Sequence, residues 1–164
     1  MILHKHTTEA EKFLKVNNDI YRIMRVFNDD EALKKMLVNT STNPLQAGKV
    51  DKDLRDKQIA RCPLLPYDDE DGSLIIITMI DSDMDFKGDS LYPTLAIDVY
   101  TPGNQWIINE GVRPLHLLHI IDNLMQFELT QTDGVRYRLQ KIVTAQLSDI
   151  LLGYRMLYVT AIND

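Results

Sequence analysis

Thr94-Leu-Ala-Ile-Asp-Val-Tyr-Thr101 alternates strictly: Leu95, Ile97 and Val99 point one way and Ala96, Asp98 and Tyr100 the other. That is the period of two of a β-strand. Pro102-Gly103-Asn104 closes it with residues that favour a turn. Upstream, Asp71-Gly72 launches a second β-rich run from Ser73 to Ile80. Downstream, Arg113-Pro114 opens a helix, because proline suits the first helical turn. Leu117, Leu118, Ile121, Leu124 and Met125 give that helix an apolar stripe, with His116, His119, Asn123 and Gln126 opposite. After the turn at Asp133-Gly134, two β-type segments follow, about Arg136 to Ala145 and Gly153 to Ile162.

The first third reads as helical. Phe13, Val16, Ile20, Ile23, Met24 and Phe27 recur at spacings of three and four between Thr7 and Phe27, and Thr8 with Glu11 fits a capping box. Leu33, Met36 and Leu37 mark a short second helix capped by Asp29 or Asp30. Residues 46–72 are polar and charge-rich, with few apolar anchors, among them Leu54, Ile59, Leu64 and Tyr67. Ordering such a segment costs roughly 1–2 kcal/mol per residue of backbone entropy. The expectation is an extended arm that orders on a neighbouring subunit. The element order is helix, helix, arm, strand, strand, helix, strand, strand. It predicts a single-domain α+β fold with a mostly antiparallel sheet packed by a main amphipathic helix.

Composition narrows the function. The 164 residues are 45% hydrophobic and 26% charged, a globular balance in one domain's length. No apolar run approaches a membrane span, and no signal peptide opens the chain, so cytoplasmic assembly is expected. A net charge of −6 without a basic cluster argues against sequence-specific nucleic-acid binding. The lone Cys62 excludes an internal disulfide and a cysteine-based zinc site.

Candidate chemistry is sparse. Asp81-Ser-Asp83-Met-Asp85 begins like a calcium loop, but Phe86 and Tyr92 stand where glycine and a bidentate glutamate are needed. It reads as a solvated acidic loop between strands. His116 and His119 have a spacing that suits two metal ligands but lack a third, and read as subunit-contact residues. No nucleophile elbow or phosphate-cradling loop is present. A metal-dependent hydrolase using Asp81, Asp83 and His116 is the enzyme alternative, and no enzyme and no cofactor is the expectation. Trp106 is expected to be partly buried on the turn after the strand, and Arg113 to make a charged contact within the chain or across a ring.

The order of these features resembles the tail-completion and neck proteins of tailed bacteriophages, which include the tail terminators. Leu95-Ala-Ile-Asp-Val-Tyr100 is similar to that family's central strand, and Arg113-Pro114 through Leu124 to the helix on its sheet. Gly153-Tyr-Arg-Met-Leu-Tyr158 resembles its closing strand, and Ile20 to Leu37 with Asn43-Pro44-Leu45 its opening helical segment. The resemblance implies a structural virion protein at the head–tail junction, assembled in the host cytoplasm. It would form a homo-oligomeric ring, expected to be a hexamer, that caps the tail tube protein and docks to the head connector while DNA passes through its lumen. Arg113, His116, His119, Leu54, Ile59, Leu64 and Tyr67 are the candidate interface residues. A head-completion adaptor on the portal side and a small acidic regulatory binding module are the alternatives.

Overall fold

The three-and-four spacing near the start of the chain builds α1 (Glu9–Asp29) in the computed structural model, which describes residues 9–62, 72–84, 91–129 and 136–160. The α1 stripe is buried at Val16, Ile23, Met24 and Phe27, whereas Phe13 is 47% exposed and lies outside the core. Thr8, the expected cap, falls outside the described residues. Asp30 ends the run and caps α2 (Glu31–Val38): its Oδ1 accepts the Leu33 N–H at 2.7 Å, satisfying one of the amides that a helix start leaves open. Leu33, Met36 and Leu37 are all buried.

Residues 46–62 depart furthest from the sequence reading, because they pack on their own subunit. Glu31 accepts the Val50 N–H at 3.0 Å and Asn28 accepts the Leu54 N–H at 2.7 Å, so helix side chains satisfy backbone groups that composition alone leaves unaccounted for. Leu54 and Ile59 are buried, and Ile59–Ala60 forms a short strand, β1. Arg61 lies over the Tyr21 ring of α1, 4.3 Å from its centre. Over this part the segment expected as an arm packs against α1 and the sheet of its own subunit. Leu64, Tyr67 and the acidic tetrad at 68–71 lie outside the described residues.

β1 runs parallel to β2 (Leu74–Met84), and β2 pairs antiparallel with β3 (Leu91–Pro102). The acidic stretch expected as a loop is partly strand. Asp81 pairs with Thr94 and Asp83 with Tyr92, after a register shift between Met79 and Asp81 that absorbs the extra residue. Asp85 is outside the described residues. A small hairpin, β4 (Ile107–Ile108) and β5 (Gly111–Val112), leads into α3 (Arg113–Asn123), which ends in a π-helical turn (Leu124–Glu128). β6 (Arg138–Gln146) and β7 (Leu151–Val159) complete a sheet of order β1-β2-β3-β7-β6.

The fold is α+β, with a mostly antiparallel five-stranded sheet. Ile75, Ile77, Leu95, Ile97, Val99, Met156 and Tyr158 line one sheet face and share a single core with the helix stripes. Leu74, Ile76, Tyr100 and Leu151 form a second, smaller cluster with Ala60. β7 lies so close to β3 at Gly153 that a Cβ there would stand 1.7 Å from the Val99 carbonyl oxygen.

Candidate interaction surface

α3 is held by its first residue. Arg113 is wholly buried, and its guanidinium is held by backbone carbonyls. Nε donates to the Gln105 carbonyl at 3.0 Å, Nη1 to those of Met36 (2.9 Å) and Asn39, and Nη2 to that of Ser41 (2.6 Å). The α2 terminus leaves its last carbonyls unpaired and carries the negative end of the helix dipole, so a buried guanidinium fits there. Burial pulls its pKa below the ordinary arginine value. An arginine nonetheless stays cationic in a protein. The charged contact expected of Arg113 is thus made inside the subunit.

A second tie escaped the sequence reading. Asp98 sits opposite Arg155 in the β3–β7 register, and Arg155 grips it through Nε at 2.6 Å and Nη2 at 2.7 Å. Tyr100 also donates its hydroxyl to Asp98, at 3.2 Å. Burial, reinforced by the Asp98 charge, pushes the Tyr100 phenol up to about 12. The available signal was Asp98 itself, the one charged residue of its strand; its partner 57 residues later was not legible. Similar ties join Tyr158 to Asp122 (2.8 Å) and Arg22 to Tyr137 (2.9 Å).

The histidines have separate local partners. His116 Nε2 lies 3.1 Å from the Glu110 carbonyl, and His119 Nε2 lies 3.2 Å from Asn123 Nδ2. His119 is exposed and His116 half-buried. Among the described residues, no group of three or more His, Cys, Asp or Glu is placed to hold a metal ion. Trp106 sits half-buried after β3, as its position in sequence suggests, with its indole N–H donated to the Thr101 carbonyl at 2.9 Å.

What the surface offers instead is apolar residues and a strand edge. Ile107, Leu115, Phe127, Ile142 and Ile150 are large and exposed. A recess of about 250 Å³ opens beside the β6–β7 turn, lined by Pro102, Gly103, Asn104, Asp149, Ile150 and Leu152. β6 forms one edge of the sheet, and none of its nine residues is buried. No helix is long and apolar enough to cross a membrane among the described residues.

Fold and surface together define an α+β protein with polar ties between its elements and with large apolar residues and a strand edge on its outside. The family model YomW matches residues 30–160, from the α2 cap to the end of β7, and the chain belongs to the YomW family. That membership suggests a phage-associated protein. No curated protein and no solved structure gives a significant match.

Proposed function

We propose that the chain is a structural subunit of a phage virion, a tail-terminator or neck protein that forms a ring at the head–tail junction and catalyses no reaction. The observation that carries this reading is how the side chains are divided. Asp98, Arg113, Arg155 and Tyr158 are engaged in ties between elements, while a strand edge and several large apolar residues face outward. A protein that works by association needs such a surface. Membership of a family that suggests a phage-associated protein supports the same reading. In this role the ring would cap the tail tube and present its other face to the head connector, its acidic charge letting DNA slide past without adhering.

Negative-stain imaging of the purified chain tests the ring, and capture by immobilised tail tube protein or head connector tests the position. Rings retained by the tail tube protein are expected. Retention by the connector alone would favour the head-completion adaptor. A chain that stays monomeric with both partners present would refute the reading.

A further inference from the structure

The corner where β3 ends beside the β6–β7 turn is nearly free of charge. Residues 99–109 carry none, and residues 142–154 carry only Asp149. The recess of about 250 Å³ lies in this corner, between Pro102, Gly103 and Asn104 on one side and Asp149, Ile150 and Leu152 on the other. Hydrogen bonds within the chain fix both sides. The Gly103 N–H donates to the Ile150 carbonyl at 3.1 Å and ties one side to the other. The Leu151 N–H donates to Ser148 Oγ at 3.2 Å, and the Leu151 carbonyl accepts the Leu147 N–H at 3.0 Å, closing the turn that carries Asp149. A site set before binding loses less ordering entropy when it is filled. Ile150 is 47% exposed and Leu152 36%, so its apolar surface is left to solvent. Asp149 is exposed as well, and its carboxylate forms no ion pair among the described residues.

We infer that this recess is a binding site for one basic side chain, a lysine or arginine presented by a partner protein. The chemistry of the lining selects it. An acidic group would meet Asp149 with like charge. A wholly apolar group would cover Ile150 and Leu152 but strip water from the carboxylate without replacing it, which costs free energy. Lysine and arginine join an aliphatic stem to a charged head. The stem lies along Ile150 and Leu152, and the head meets Asp149. One side chain then matches both the apolar surface and the charge. The site is complete in one subunit and does not depend on the ring.

Nuclear magnetic resonance of the isotope-labelled full chain, titrated with N-acetyl-lysine methylamide, tests the inference. The corresponding norleucine and glutamate amides are the controls: norleucine keeps the stem without the ammonium, and glutamate reverses the charge. The lysine probe is expected to shift the amide signals of Gly103, Asn104 and Ile150. It should bind about three- to fivefold more tightly than norleucine at low salt, the modest gain of an exposed ion pair, and glutamate should not bind. In about 1 M salt the preference for lysine should disappear. Asp149→Asn should bring lysine and norleucine level, whereas Ile150→Ser should weaken both by about twofold or more. Both side chains are exposed, so thermal midpoints should stay close to wild type and separate a lost site from a lost fold. Shifts that are absent or lie away from the recess, equal affinity of wild type for lysine and norleucine, or an Asp149→Asn variant that keeps the preference would each overturn the inference. Rings without the lysine preference would remove the site and leave the ring; the preference without rings would do the reverse.

Discussion

Replacing Arg113 with alanine removes a buried cation together with four hydrogen bonds to backbone carbonyls. Met36 and Gln105 are buried residues, so their carbonyls would lose the arginine's hydrogen bond where water cannot readily replace it, at about 1–3 kcal/mol each. The carbonyls of Asn39 and Ser41 belong to more exposed residues, and water can replace the arginine there. The cavity left by the aliphatic stem adds a further term. Relief of the arginine's own desolvation offsets part of the sum, and the net loss expected is about 3–5 kcal/mol. Against a typical domain stability of about 5–15 kcal/mol, that is a large share. Arg113→Lys keeps the charge but replaces a planar fork with a single ammonium, and should lose roughly 1–3 kcal/mol. Urea unfolding followed by Trp106 fluorescence is the assay, with a lower midpoint and an unchanged slope expected for both variants. If Arg113→Ala unfolds within about 1 kcal/mol of wild type, the guanidinium is not the tie described here.

Three further outcomes are expected. Gly153→Ala would drive a methyl group to 1.7 Å from the Val99 carbonyl oxygen, forcing β3 and β7 apart. A loss of about 3 kcal/mol or more, or insoluble protein, should result, and a well-folded variant of near-native melting temperature would contradict the packing. Arg155→Ala leaves the Asp98 carboxylate, 4% exposed, without its partner. With Arg155 itself 38% exposed, the cost should be about 2–3 kcal/mol. A double-mutant cycle with Asp98→Ala should show coupling, and strict additivity would count against the pair. Stability should also fall in alkali. Tyr100 and Tyr137 are pushed up to about 12, chiefly by burial, and Tyr158 is raised as well. The folded chain therefore keeps protons that the unfolded chain releases above about pH 10. Their contribution is fully present below that pH and is lost as pH rises from about 10 toward 12, at up to about 1.4 kcal/mol per unit for each tyrosine. Urea midpoints that stay level between about pH 9 and 11 would argue against these burials.

Local rhythm carried much of the fold. The strand around Leu95–Val99, the helix opened by Arg113-Pro114, the Asp30 cap and the order of the main elements all follow from spacing and turn chemistry within about ten residues. What escaped depends on groups distant in sequence. Residues 46–62 look poor in anchors until Asn28 and Glu31 are seen to satisfy their amides. The acidic stretch after Met79 looks like a loop until a register shift lets it continue as strand. Arg113 was singled out for its charge, yet its partners are carbonyls more than seventy residues earlier, and carbonyls carry no mark in a sequence. Leu54 and Ile59, named as interface candidates, are core residues for the same reason. The open edge at β6 needed the strand order, because alternation shows that a segment is a strand and not which neighbours it has.

That strand order has a consequence for how the chain is made. β7 is the last strand of the described residues, yet it fills the gap between β3 and β6. A polypeptide leaving the ribosome therefore presents β3 and β6 with nothing between them until β7 emerges, and during that interval both are unsatisfied templates for another chain. A product cut short before Leu151 would lose the middle of its sheet where most truncations trim a margin. Copies that stop before β7 would thus be ready substrates for aggregation or degradation.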